Sequence, residues 1–246
     1  MPRDSDGERP PEKFRNHLFR PCSSFSELDF ENQIRTCPEC QRFYFRCCHC
    51  RDTNGKPCHE ASVVFTDGAC SNNGQDGASA GYGYALGSDE PDQYSGSMKK
   101  FKVKTSQRAE LVGAWGGLRK AIEGYKLNER TYPVVTGGRK KSLVILSDSQ
   151  YVEKRITEWL AEWKSNGYKT ADGKEPTNLD LFLRLEKLIK KYETDEFHIG
   201  FMHIRRKHNT LADKLAKRGA EADKPPVSSS SAGLEELGKQ MRKMKV

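Results

Sequence analysis

Between residues 61 and 222 strand-like and helix-like patterns follow one another in a definite order, and that order restricts the fold more than any other feature of the chain. Residues 62–66 (SVVFT) and 81–86 (GYGYAL) read as strands, and 94–103 as a third, polar strand near an edge. Residues 106–125 then read as a helix, because Leu111, Ala114, Leu118 and Ile122 recur at spacings of 3, 4 and 4. Residues 142–147 form a short continuous apolar run, as in a buried strand. Val152, Ile156, Trp159 and Trp163 mark an amphipathic helix over 149–164, and a polar loop leads to a further helix over 178–192. Residues 197–204 read as a strand and 209–222 as a last helix. The order βββ-α-β-α-α-β-α predicts an α/β domain with a five-stranded mixed sheet covered by helices on both faces.

Cysteine usage divides the chain. Seven of the eight cysteines lie in the first 60 residues, and Cys70 is alone. No apolar run approaches the ~20 residues of a membrane span. The first residues, MPRDSDGERPPEKFR, have no apolar signal region, so cytoplasm or nucleus is the expected location. Clustered cysteines in that setting read as a metal site before they read as disulfides. Cys37-Pro-Glu-Cys40 and Cys47-Cys48-His49-Cys50 are two C-x₂-C pairs six residues apart, followed by Cys58-His59. A C-x₂-C turn offers two thiolates to a tetrahedral Zn²⁺ ion. The expected ligands are Cys37, Cys40, Cys47 and Cys50, with Cys58 or His59 able to displace either of the last two. The intervening RFYF would be the strand of a small hairpin. Three regions follow: a Cys/His-rich zinc module with a polar arm over 1–60, an α/β domain over 61–222, and a tail over 223–246. The tail begins Lys224-Pro225-Pro226, continues into a serine run, and ends in a short basic stretch over 234–244. Residues 61–222 carry six more basic than acidic side chains and 223–246 two more, while 1–60 are neutral overall, a distribution compatible with a polyanionic partner.

Four acidic residues stand where strands end or helices begin. Asp67 follows VVFT, Asp148 follows LVILS, Glu110 lies one turn into its helix, and Asp213 lies in the first turns of the last helix. Such ends meet in one crevice of an α/β sheet. Clustered carboxylates repel one another and persist where a hard dication such as Mg²⁺ neutralises them. Taken singly, each is more simply a turn former or a partner of a helix dipole.

The strings FTDGACSNNG, TSQRAEL, LSDSQYV and NTLADKLA resemble type 1 ribonuclease H. The likeness continues through ITEWLAEWKSNGYKTADGKEPTNLDLFLRLEKL and covers residues 61–222. It implies an endonuclease that hydrolyses the RNA strand of an RNA–DNA hybrid with two Mg²⁺ (or Mn²⁺) ions, leaving 5′-phosphate and 3′-hydroxyl ends. The implied metal ligands are Asp67, Glu110, Asp148 and Asp213. The resemblance further implies hybrid contacts from Cys70, Asn73, Ser106, Gln107, Gln150 and Asn209. Asn73 reads equally well as a turn residue, and Thr105 as a phosphate contact or a helix cap. The basic segment with Trp159, Trp163, Lys164, Tyr168 and Lys169 is similar to the family's DNA-gripping protrusion. On spacing, Trp159 is expected in the core, and Trp163 is either core or a hybrid contact. The family's auxiliary histidine has three counterparts in FMHIRRKHNTLAD: His203, His208 and Arg206, of which only the histidines can carry a proton. The chain is expected to be monomeric and not to bind membranes, and the zinc arm and tail are the candidate sites for a protein or further nucleic acid. A DNA-cutting nuclease on the same fold and a silent hybrid-binding module are the rivals. The motif strings oppose the first, and the full acidic quartet opposes the second.

Overall fold

The computed structural model describes residues 17–47, 59–127 and 141–224. Cys48, Cys50, Cys58, the polar N-terminal arm and the tail beyond residue 224 lie outside these residues. Among the described residues the strands are β1 (Ile34–Thr36), β2 (Phe43–Phe45), β3 (Ala61–Ser71), β4 (Ser79–Ala85), β5 (Gln93–Ser97), β6 (Lys141–Ser147) and β7 (Phe197–His203). The helices are α1 (Phe30–Gln33), α2 (Ser106–Leu127), α3 (Gln150–Lys154), α4 (Leu160–Ser165), α5 (Leu179–Tyr192) and α6 (Thr210–Asp223). The expected order over 61–222 is present, although the polar third strand ends at Ser97.

β3 is the axis of the mixed sheet. It pairs antiparallel with β4, and β4 with β5, while on its other flank it pairs parallel with β6, and β6 with β7. Alternation along β3 sends Val64 to a core shared with α2 and α5, through Leu111, Leu118, Phe182 and Leu185. Val63 points the other way, into a second core with Val144, Leu146 and Ile204. α6 lies on that second face, and a Cβ on Gly81 would come within 2.0 Å of the Ala220 backbone nitrogen.

The rest of the second face is closed by described N-terminal residues within 17–47, which pack onto the sheet instead of standing apart from it. Phe19 and Phe45 join the core of Val63, Val144, Leu146 and Ile204, with their rings 5.0 Å apart. Tyr44 of β2 pairs with Ser62 of β3, and Phe19 donates its N–H to the Phe201 carbonyl at the β7 edge. The five expected strands are thereby extended to seven. Spacing within the first 60 residues could reveal the hairpin, but not that its aromatic side chains fill the uncovered half of the sheet. No described helix is long and apolar enough to cross a membrane.

Candidate active site

The parallel pairing of Phe65 with Leu146 carries Asp67 and Asp148 to the same end of the sheet. Asp67 is buried, and its Oδ1 accepts the Gly68 N–H at 2.8 Å. Gly68 lets α2 approach closely, since a Cβ there would lie 2.1 Å from the Glu110 backbone nitrogen. That approach brings Glu110 beside the strand, where the Ser149 hydroxyl donates to Glu110 Oε2. Asn209, at the start of α6, donates from Nδ2 to Asp148 Oδ1 (2.8 Å) and to the Thr66 carbonyl (3.0 Å). Asp213, one turn further on, pairs with Lys217 at 2.7 Å and with Arg206 at 3.3 Å. Arg206 Nε also lies 3.9 Å from Asp148 Oδ2. The four carboxylates, with Cys70, Ser106, Arg206 and Lys217, line one cleft of about 590 Å³.

Burial, then the neighbouring Asp148, raises the Asp67 pKa from 3.8 to about 7. Burial likewise raises that of Glu110, against the opposing pull of the Ser149 hydrogen bond. At Asp213 burial acts upward, but Lys217 and Arg206 together outweigh it and the pKa is lowered. An all-oxygen donor set in which charge is resisted by burial and like neighbours suits a hard dication.

The hybrid contacts expected from the sequence divide. Cys70 and Ser106 face the cleft, and Gln107 and Gln150 are exposed. Asn73 accepts the Ser106 N–H at 2.8 Å, and Thr105 accepts the Arg108 N–H at 3.2 Å, so both cap α2. Asn209 is 1% exposed and lies beneath Asp148, which removes it from direct contact with a hybrid and makes it a positioning residue. Asn209→Ala is expected to cost about 1–3 kcal/mol by stranding the Thr66 carbonyl. It should also lower turnover more than affinity, which steady-state kinetics and thermal melts would check.

Trp163, left open by the sequence, is in the core, and Trp159, expected there, is not. Trp163 is 4% exposed and packs edge-on against Phe182 at 5.7 Å, whereas Trp159 is 40% exposed. The cause is a wider, π-type turn over Arg155–Trp159 that shifts the buried stripe to Val152, Ile156, Leu160 and Trp163. Trp159 instead holds the Arg155 guanidinium at 4.6 Å, shared with Tyr151 at 4.3 Å. Trp163→Ala should therefore cost about 3–5 kcal/mol of stability. Trp159→Ala should leave the melting temperature unchanged and weaken hybrid binding in a filter or anisotropy titration.

Of the three auxiliary candidates, only Arg206 reaches the carboxylates. His203 shares a strand face with Ile199 and Phe201, on the side of α3 and away from the carboxylates. His208 turns to the N-terminal segment, with Nδ1 2.9 Å from Glu31 Oε1. Two residues of the site went unmarked in the sequence reading. Ser149 was legible as the residue capping α3, and Lys217 as an i+4 partner of Asp213.

The N-terminal Cys/His residues are brought together in part. The Cys37 and Cys40 sulfurs and a His59 ring nitrogen all lie within 4.8 Å of one another. Cys37 and Cys40 sit on a turn closed by the Gln41 N–H to the Cys37 carbonyl at 2.9 Å. Gln41 and His59 both hold positive φ, 56° and 48°, which non-glycine residues adopt rarely. Cys47 is outside this cluster, its thiol donating to Glu60 at 3.4 Å.

The ribonuclease H family model matches residues 59–221. The chain belongs to the ribonuclease H family. Ribonuclease H of Ralstonia nicotianae is 33% identical over 171 residues, 69% of this chain and 97% of that protein. Human ribonuclease H1 is 34% identical over 163 residues, 65% of this chain and 50% of that protein. The chain thus spans about half the length of the mammalian ribonucleases H1 it matches and nearly all of the bacterial enzyme. The solved ribonuclease H1 of Halobacterium salinarum covers 66% of this chain and 98% of its own, with 19% identity and a TM-score of 0.43. Ribonucleases H generally use divalent metal ions. The carboxylate cleft, with its oxygen-only donors and elevated Asp67, fits that requirement.

Proposed function

We propose that this protein hydrolyses the RNA strand of RNA–DNA hybrids at the Asp67–Glu110–Asp148–Asp213 cleft, leaving 5′-phosphate and 3′-hydroxyl ends. The observation that carries the reading is the convergence of all four carboxylates in one cleft of a ribonuclease H fold, two of them with raised pKa values. Two Mg²⁺ (or Mn²⁺) ions held by these carboxylates would neutralise them and supply Lewis-acid activation of the attacking water and the leaving oxygen. The chain's own part is orientation. The Gly68 N–H, the Ser149 hydroxyl and the Asn209 amide each hold one carboxylate by a hydrogen bond. Arg206 presents a permanent positive charge beside Asp148 and Asp213, suited to drawing a backbone phosphate into the cleft and unable to relay protons. Ser106 and Cys70 line the cleft and in this reading would meet the ribose 2′-hydroxyls that distinguish RNA from DNA.

The N-terminal cluster supports a structural Zn²⁺ site at Cys37, Cys40 and His59, with a fourth ligand drawn from Cys50 or Cys58. Two thiolates from one turn and an imidazole suit that ion. Zinc released per chain by a thiol-oxidising reagent should be close to one equivalent, and should fall in Cys37→Ser.

The deciding experiment is cleavage of four labelled duplexes with Mg²⁺ or EDTA: hybrid, RNA–RNA, DNA–DNA, and DNA with one ribonucleotide. Metal-dependent cutting of only the hybrid's RNA strand, lost in Asp148→Asn with hybrid binding retained, is the expected result. Tight hybrid binding without cutting would replace the nuclease by a binding module.

A further inference from the structure

We infer that the N-terminal segment holds the Arg206 turn in its working position, through His208. The inference rests on the nuclease reading of the carboxylate cleft. The chain leaves β7 at His203, and the Ile204 N–H bonds to the Ser147 carbonyl at 2.9 Å. It then makes one short turn over Arg206–His208 before α6, closed by His208 N–H to Arg205 and Asn209 N–H to Arg206. Three side chains anchor this turn, two on the cleft side and one away from it. Arg206 reaches Asp213 and Asp148, and Asn209 reaches Asp148 and Thr66. His208 reaches away from the cleft, to α1.

The contact with α1 is the better packed of the outward two. The Arg206 side chain is 75% exposed, so its own surroundings do little to fix it. The His208 side chain is only 9% exposed. Its ring lies 4.6 Å from that of Phe30, and its Nδ1 is 2.9 Å from Glu31 Oε1. Glu31 is largely exposed, so the polar contact alone contributes little, and the ring contact is the larger part. Beside it runs a groove of about 330 Å³ lined by Ile34, Phe43, Phe65, Lys207 and Leu211. The turn is therefore bordered by open space on that flank and depends on Phe30 and Glu31 for its support there. A flexible arginine is useful only in the fraction of molecules whose backbone aims it correctly, and small misplacements of positioning groups cost turnover heavily. Phe30, Glu31 and His208 are thus positioning residues acting through Arg206, and the first two come from a segment outside the matched ribonuclease H region.

The test uses the full-length chain with Mg²⁺ and a labelled hybrid, comparing Phe30→Ala, Phe30→Leu, Glu31→Gln, Arg206→Ala, and Phe30→Ala combined with Arg206→Ala. Phe30→Ala should lower kcat about tenfold and Glu31→Gln less, with KM little changed. In the Arg206→Ala background Phe30→Ala should lower kcat no further, although it still lowers the melting temperature. A merely structural role would give the same fold-loss in both backgrounds, and that outcome would overturn the inference. Full activity in Arg206→Ala, or in both Phe30 variants, would overturn it as well. Phe30→Leu carries the comparison should Phe30→Ala fail to fold. A wild-type chain that cuts no hybrid would remove the nuclease reading and this inference with it. A cutting wild type with additive losses would remove the inference alone.

Discussion

Asp67→Asn is expected to stabilise the metal-free protein at pH 8 and to lower hybrid cleavage by at least about 10³-fold. Both effects come from one buried carboxylate. Burial and the nearby Asp148 raise its pKa from 3.8 to about 7. Between about pH 4 and 7 the folded chain keeps a proton that the unfolded chain has lost, so this group's contribution to stability falls as pH rises through that window. At about 1.4 kcal/mol per pKa unit, the cost of the charged form above pH 7 is on the order of 4 kcal/mol. An asparagine removes that cost and can still accept the Gly68 N–H through its amide oxygen. Thermal melts in EDTA at pH 4.5 and pH 8 would show it: the variant's advantage should be present at the higher pH and absent at the lower. Adding Mg²⁺ at pH 8 should raise the wild-type melting temperature and narrow the difference. A variant no more stable than wild type at pH 8 would mean that Asp67 carries its charge without strain, and the cleft would lose its strongest electrostatic argument.

Removing residues 1–60 is expected to leave a chain that aggregates or fails to fold cooperatively. The sequence divides this segment from the α/β domain over 61–222, which by itself would suggest that it can be removed. The second core shows why the opposite result should follow. Val63, Val144, Leu146 and Ile204 are each no more than 3% exposed, and Phe19 and Phe45 are among the groups that cover them. Losing a buried phenylalanine costs about 3–5 kcal/mol, and two such losses approach the whole stability of an ordinary domain, about 5–15 kcal/mol. The cut also strips β2 from β3 and the Phe19 hydrogen bond from the β7 edge, exposing strand edges that promote association. Soluble yield, dye binding to exposed apolar surface and a urea titration would measure the effect. Phe45→Ala in the full chain is the milder version, with an expected loss of about 3–5 kcal/mol. A monodisperse truncated domain with an unchanged melting temperature would return the segment to the status of an appendage.

Much of the site was legible because its signals are local. Asp67 and Asp148 follow apolar strands, Glu110 and Asp213 fall in early helical turns, and short strings carry the family likeness. Cys37 and Cys40 were equally legible, since a C-x₂-C turn places both thiols itself. The errors lie where one extra residue or one distant neighbour decides. Spacings of 4, 3 and 4 favoured Trp159 for the core, but the π-type turn adds a residue and buries Leu160 and Trp163 in the stripe. Asn209 matched a motif position tied to substrate, yet only the approach of α6 to β3 and β6 shows it bonded to Asp148 and Thr66. In the sequence the histidines His203 and His208 stood ahead of Arg206. Strand alternation turns His203 toward α3, and Phe30 and Glu31 take His208.

The amino-acid sequence by itself determined the succession of strands and helices, the acidic quartet and the pairing of Cys37 with Cys40 on one turn, because periodicity and turn chemistry act over a few residues. The tertiary structure decided that the N-terminal segment completes the sheet, which tryptophan is buried, and which basic side chain meets the carboxylates. Those outcomes depend on contacts between residues as far apart as Phe19 and Phe201, or Glu31 and His208, where the free energy of burial is set by shape in three dimensions and leaves no mark in local sequence.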